Sequence, residues 1–247
     1  MTFRNQFYKN YYKTQASRYA DTSEANQIAN SEKTLSIEIL PLMPSDKGVS
    51  ILELACGHGT LLGLLQKHGY TNITGVDISE DQVEKSKQLG VNYVECGDVQ
   101  SFLSESQEKY DVILGVDIIE HFTKSELLRL LETIKERLNP GGKVVFRTPN
   151  CDAPLSTTFC YGDFTHEICL NYFSAEQVML TMGFTSIRIR GSHVGVSNPI
   201  KNLFRSVLWV QMKLWYKMVL FASGRSSKKV LFTPNLIISA EKQDAIS

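Results

Sequence analysis

One segment constrains this chain more than any other: ILELACGHGTLL, residues 51–62, where a strand over Ser50–Cys56 runs directly into Gly57-His58-Gly59 and then into a helix-forming stretch. A strand, a glycine turn and a helix in immediate succession open a parallel βαβ unit, and the glycines let backbone approach a ligand closely. A nicotinamide-type GxGxxG is not completed, because position 62 is Leu62.

The rest of the chain repeats that rhythm. Short β-rich apolar runs alternate with helical patterns, the signature of a doubly wound α/β domain with a mostly parallel sheet. The pattern predicts seven strands, near 50–56, 72–78, 92–98, 110–117, 143–150, 186–194 and 235–242. It predicts helices over Gln27–Leu40 and Lys124–Leu138, the second with Leu127, Leu128, Leu131, Ile134 and Leu138 on one stripe. Asn139-Pro140-Gly141-Gly142 is expected to end that helix. Residues 1–48 form an expected N-terminal helical cap or lid, 49–197 the core, 198–230 an inserted helix with a basic loop, and 231–247 the last core strand and tail. Phe7, Tyr8, Tyr11, Tyr12 and Tyr19 in the cap stand where they could cover a site or pack on the domain edge.

Charge narrows the partners. Lys plus Arg equals Asp plus Glu at 26 each, so no overall field draws the chain to nucleic acid. Five cysteines, an odd number without a CxxC pair, suit neither a disulfide framework nor a structural zinc site. Reduced thiols are expected. The opening MTFRNQFYKNYYKTQ has no apolar run of the kind a secretory signal needs, which makes the expected location cytoplasmic.

Two acids complete the opening motif. Asp77 ends the second strand about twenty residues after the glycine turn, where a carboxylate can accept both hydroxyl protons of a ribose. Asp98 ends the third, either beside a base ring or as the cap of the next helix. Together ELACGHG, VDIS, GDVQSF, GVDIIEHF and LNPGGKVVFRTPN resemble the class I S-adenosylmethionine-dependent methyltransferases over most of the chain from Ser50 onward. The resemblance implies a Rossmann-like methyltransferase fold with S-adenosyl-L-methionine as cofactor. It places the methionine portion at Gly57 and Gly59, ribose at Asp77, adenine beside Asp98, and backbone contact to the cofactor's amino group at Gly115, with Glu53, Ala55, Ile78 and Val99 completing the cofactor site. Glu53 and Ala55 stand where the family more often has Asp and Gly.

Two further stretches bear on the acceptor. Glu120-His121 matches a pair in the branch that contains ubiquinone-biosynthesis O-methyltransferases. Asp163-Phe164-Thr165-His166-Glu167 resembles a motif of methyltransferases of bacterial surface-polysaccharide biosynthesis. A sugar hydroxyl is a weak acid and benefits from a general base, for which histidine is best suited near neutral pH. His166 is the first candidate, oriented by Asp163 or Glu167, and His121 the second, assisted by Glu120. His58 and His193 are expected to serve packing or local hydrogen bonds. No metal is expected, since HEICL lacks the second histidine of HExxH and no ligand pair repeats at helical spacing.

The segment 200–221 breaks the α/β rhythm. Lys201, Arg205, Lys213 and Lys217 fall within about half of a helix circumference and leave the other side almost wholly apolar. Such a helix suits peripheral contact with a membrane surface, a homodimer interface or burial against its own sheet; its internal lysines make it a poor spanning segment. The expected function is methyl transfer to a sugar hydroxyl of a bacterial surface glycan or its precursor. The alternatives are a phenolic or quinone-precursor acceptor at the membrane, and a non-catalytic cofactor-binding subunit.

Overall fold

The computed structural model describes Phe7, residues 23–196 and residues 198–243. Tyr8, Tyr11, Tyr12 and Tyr19 lie outside the described residues.

The chain begins with α1 (Glu24–Glu38) and then alternates through β1 (Ile51–Leu54), α2 (Thr60–Lys67), β2 (Ile73–Asp77), α3 (Glu80–Gln88), β3 (Val94–Cys96), α4 (Val99–Glu105) and β4 (Tyr110–Val116). The second half holds α5 (Lys124–Arg137), β5 (Leu138–Pro149), α6 (Ser156–Cys160), α7 (Tyr172–Thr181), β6 (Phe184–Gly191), α8 (Pro199–Ala222) and β7 (Asn235–Lys242). The seven strands form one sheet in the order β3-β2-β1-β4-β5-β7-β6. Pairing is parallel from β3 to β5, while β7 runs antiparallel to both β5 and β6.

Every residue of β1 is buried, as a central parallel strand with helices on both faces requires. One face packs Leu52, Leu54, Ile113, Phe146 and Leu236 against α5 and α7. The other packs Ile51, Val112, Leu114 and Val145 with Leu61, Leu62 and Leu65 of α2 and with Leu35 of α1. At about 25 cal/mol per Å² of apolar surface, these two layers are the main favourable term in folding.

Local chemistry sets the helix starts. Thr123 and Glu126 form a reciprocal capping box at α5. Ser79 and Asp98 cap α3 and α4 by accepting backbone hydrogen bonds from Gln82 and Ser101. Two expectations are corrected here. The buried stripe of α5 is Leu127, Leu130, Leu131 and Ile134, at i, i+3, i+4 and i+7, whereas Leu128, one residue round from Leu127, is 37% exposed. The fifth strand, expected from about residue 143, begins at Leu138 where α5 ends, and Asn139-Pro140-Gly141-Gly142 lie within it as an irregularity between the pairs Tyr110–Leu138 and Val112–Lys143.

α1 is tied down through Glu38, which is only 2% exposed. Its carboxylate accepts from the backbone N–H of His193 and lies 3.5 Å from the Arg147 guanidinium, and its carbonyl accepts from Arg190. These bonds join the N-terminal helix to β5, β6 and the segment after β6.

Candidate active site

The C-terminal ends of β1, β2, β4 and β5 open onto one edge, where doubly wound sheets keep their ligands. At β1 the chain turns through three consecutive odd positions in the left-handed region: Ala55 (φ 51°), Gly57 (φ 55°) and Gly59 (φ 77°). A side chain built on Gly57 would meet only Gln82 Oε1 at 3.8 Å, so its face is open, whereas one on Gly59 would strike Val91 at 3.0 Å. Gly57 thus serves approach and Gly59 serves packing.

Asp77 closes this turn. Its carboxylate accepts from the Gly57 N–H at 2.7 Å and from the Ser79 N–H at 2.9 Å. Burial raises the Asp77 pKa, and those two backbone donors oppose the rise. Glu53 is fully buried nearby, with Oε2 lacking a hydrogen-bond partner. Desolvation, reinforced by the Asp77 charge, pushes its pKa up to about 8. A buried carboxyl left unsatisfied is costly, and a polar ligand entering the turn would relieve it. Ile78 beside Asp77 is 55% exposed and offers an apolar wall; Asp98 is exposed at the start of α4, where Val99 is buried. The residues present fit the nucleoside and amino-acid parts of S-adenosylmethionine: an acid for the ribose, an apolar wall for the ring, an open glycine and an orphaned carboxyl for the polar tail. Gly115 lies inside β4, and the space of its missing side chain is filled by Ile118 and Phe146 at 2.8 and 3.0 Å, so packing accounts for the glycine there.

Beyond β4 and β5 the two predicted histidines meet. Their rings stand edge-on with centroids 4.7 Å apart. Thr165 Oγ1 donates its hydroxyl proton to Asp163 Oδ1 at 2.7 Å, and the Thr165 N–H donates to the same oxygen at 2.9 Å. The oxygen of Thr165 therefore accepts from His121 Nδ1 at 2.9 Å, which puts the His121 proton on Nδ1 and leaves Nε2 as the basic atom. His166 Nδ1 lies 2.7 Å from the Cys160 carbonyl, an acceptor only, and so carries its proton there too. Burial, followed by the neighbouring His166, lowers the His121 pKa to about 4.

The expected partners are rearranged. Asp163 or Glu167 was expected to orient His166; the Asp163 carboxylate reaches His121 through Thr165, while the His166 backbone N–H donates to the Asp163 carbonyl and the His166 ring is held by the Cys160 carbonyl. Glu167 donates its backbone N–H to the Glu120 carbonyl at 2.8 Å, locking the 163–167 loop onto the turn after β4. Glu120 is buried, with Oε2 accepting from Thr148 Oγ1, Oε1 unsatisfied, and a pKa raised well above the ordinary value by burial and then by Asp117. Asp117, in the left-handed region at φ 53°, pairs with Arg147. Phe7 from the N-terminal segment stacks on Phe164 at 5.2 Å. His58 bonds Gln82 and Thr60 through its two ring nitrogens.

Two groupings escaped sequence reasoning. Donor atoms of Glu120, His121 and His166 lie within 4.8 Å of one another, close enough to share one divalent ion. The expectation of no metal rested on local spacing, and a ligand set drawn from two segments leaves no local signature. The thiols differ from expectation as well: Cys160 and Cys169 are joined in a disulfide, with Cys151 close by. Counting cysteines could not reveal a pair that comes together because the chain after α6 folds back, through the bridge between Asn150 and Leu170, toward the end of β5.

A family model described as a methyltransferase domain matches residues 26–183. Ubiquinone biosynthesis O-methyltransferase of Coxiella burnetii is 34% identical over 110 residues, covering 42% of this chain and 45% of that protein. Phosphoethanolamine N-methyltransferase of Triticum aestivum is 29% identical over 127 residues, covering 49% of this chain and 25% of that one. The chain thus spans less than half the length of either relative. In fold it resembles an S-adenosylmethionine-dependent methyltransferase of Archaeoglobus fulgidus, with a TM-score of 0.64 at 19% identity over 85% of this chain and 94% of that one. It also resembles the plantazolicin methyltransferase BpumL in complex with S-adenosylhomocysteine, with a TM-score of 0.63 at 20% identity over 97% and 93%. Since the methyltransferase-domain model covers well over half of the 247 residues, the chain belongs to that family, and its fold is that of the S-adenosylmethionine-dependent methyltransferases it resembles.

Proposed function

We propose that the chain methylates a sugar hydroxyl of a bacterial surface glycan or its lipid-linked precursor. The observation that carries this reading is the pair His121 and His166, both held through Nδ1 with Nε2 as the basic atom, at the acceptor edge of the sheet. A phenol ionises near pH 10 unaided, whereas an alcohol is far weaker as an acid and needs a base at the moment of transfer.

Bound S-adenosylmethionine supplies an electrophilic methyl on a cationic sulfur. Asp77 and the open backbone at Gly57 hold the donor, and the 163–167 loop holds the acceptor hydroxyl. As the acceptor oxygen forms its bond to the methyl carbon and the carbon–sulfur bond breaks, the hydroxyl proton passes to an imidazole Nε2, with His166 the first choice. Half-buried His121 stays neutral at physiological pH and accepts a hydrogen bond from the same hydroxyl or its neighbour. Holding oxygen, carbon and sulfur in line supplies much of the acceleration.

The test is turnover with isotope-labelled methyl donor on two acceptor sets, hexose or deoxyhexose glycosides and catechol-type phenols. Label on the sugars, reduced at least about a hundredfold by His166→Ala, supports the reading. Label on phenols alone replaces it with the phenolic alternative, which the name of the Coxiella burnetii relative favours. Chelation by EDTA separates the base from a metal role: an unchanged rate supports the histidine base, and loss restored by a divalent ion assigns the Glu120–His121–His166 cluster to that ion.

A further inference from the structure

α8 is built inside out. Among its 24 residues none is buried. At about 100° per residue, Asn202, Arg205, Ser206, Trp209, Met212, Lys213, Tyr216 and Leu220 share one side, and every one of them is partly covered. Tyr216 on that side stacks on Phe232 at 5.6 Å. The opposite, outward side carries Ile200, Leu203, Phe204, Val207, Leu214 and Phe221, between 50% and 84% exposed, together with Trp215 at 59%. The apolar stripe, interrupted by exposed Gln211 at mid-helix, spans about 36 Å at 1.5 Å per residue. A surface of that size facing water marks an interaction site.

We infer that α8 lies flat on an anionic bilayer, outward face down, as an in-plane anchor. Charge selects this occupant over a second copy of the chain. No Asp or Glu occurs from residue 177 to residue 240, although the whole chain is neutral. Exposed Lys201 and Lys217 border the apolar stripe on its two sides, and Arg225 and Lys228 follow its C-terminal end. Cations flanking a submerged apolar face meet lipid phosphates and strengthen binding to an anionic surface. Two copies packed through this face would set cation against cation, with no carboxylate in either helix to pair them. No helix among the described residues is long and apolar enough to cross a membrane, so the helix is suited to lying in the surface.

The anchor hangs from the acceptor edge. β6 ends at Gly191 beside Leu236, β7 begins at Asn235 beside Pro149, and the buried Asn150 side chain donates to the carbonyls of Leu231 and Thr233. A docked α8 therefore holds the mouth of the site near the lipid headgroups, where a lipid-linked acceptor would be presented. Docking itself does not depend on which acceptor is methylated.

The full chain is sedimented with vesicles of phosphatidylcholine alone and of equimolar phosphatidylcholine and phosphatidylglycerol, while Trp215 emission is read in a Trp209→Phe background. The expected result is at least about tenfold more protein on the anionic vesicles, a blue shift of Trp215, and loss of both with added salt. The pair Phe204→Glu and Trp215→Glu abolishes sedimentation, and Lys201→Glu with Lys217→Glu removes the anionic preference. Unchanged S-adenosylhomocysteine affinity in each variant shows that the fold is intact. Failure of the wild type to bind either vesicle overturns the inference, and if it then self-associates in a manner abolished by the outward pair, a second copy is the occupant instead.

Discussion

His121 Nδ1 and Thr165 Oγ1 lie 2.9 Å apart across 44 residues of chain, and the hydroxyl between His121 and Asp163 sets which nitrogen of His121 carries the proton. Thr165→Val keeps the shape and removes that relay. It is expected to lower methyl transfer by roughly tenfold to a hundredfold, as loss of an orienting partner does, with donor affinity unchanged and Thr165→Ser restoring the rate. Nitrogen-15 spectra of the imidazole check the cause: Nδ1–H in the wild type, a tautomer mixture in Thr165→Val.

The same histidine predicts a stability profile. Its folded pKa, about 4, lies below its unfolded value of 6.5, so between those limits the unfolded chain binds more protons. Stability therefore falls as pH drops from about 6.5 to about 4, by up to about 3 kcal/mol. His121→Gln removes that slope. Urea midpoints at pH 7 and pH 5 measure it, and an equal pH dependence in wild type and variant would contradict the assignment.

Asp77 joins the glycine turn to the end of β2 through the Gly57 N–H. Asp77→Asn keeps a side-chain acceptor for one backbone donor but removes the charge and half of the paired acceptance that a ribose needs. Calorimetry is expected to show S-adenosylhomocysteine binding weakened at least about tenfold, or 1.4 kcal/mol, with the melting temperature of the free protein changed little.

Ala55 occupies the left-handed region at φ 51°, a conformation that costs a non-glycine residue about 1 kcal/mol. Ala55→Gly is expected to raise stability by a few tenths to about 1 kcal/mol, less the greater entropy of glycine in the unfolded chain. Thermal melting of the apo protein reads the sign.

The disulfide gives a mass prediction. Alkylation of the unfolded, unreduced chain is expected to modify Cys56, Cys96 and Cys151, and prior reduction adds Cys160 and Cys169. Intact-mass spectrometry counts the adducts.

How far the sequence carried these conclusions depends on the range of the interactions. Strand alternation, the glycine turn, Asp77 and the inserted helix are local patterns; β7 falls at Asn235–Lys242, the span its apolar run predicted. The segments that carry His121 and His166 follow the neighbouring strands β4 and β5, which makes their meeting legible in the sequence. Which acid serves which histidine was not legible, since the Asp163–Thr165–His121 chain depends on how a loop folds back 44 residues later. The joining of Cys160 to Cys169 was hidden for the same reason. Periodicity showed that α8 has an apolar side but not which way it faces, because the partial covering of the side that carries Arg205 and Lys213 is a tertiary outcome.

The antiparallel placement of β7 brings both ends of the β6–β7 connection to one edge of the sheet. The residues proposed to hold the donor, Gly57 and Asp77, lie before β5. The β6–β7 connection, by contrast, returns to the acceptor edge whatever its length, because both of its ends are pinned there by strand pairing. Lengthening or exchanging that connection alters what the catalyst is brought to without touching how it holds its methyl donor, so a single core can be re-addressed to new acceptors by changes in one excursion of the chain.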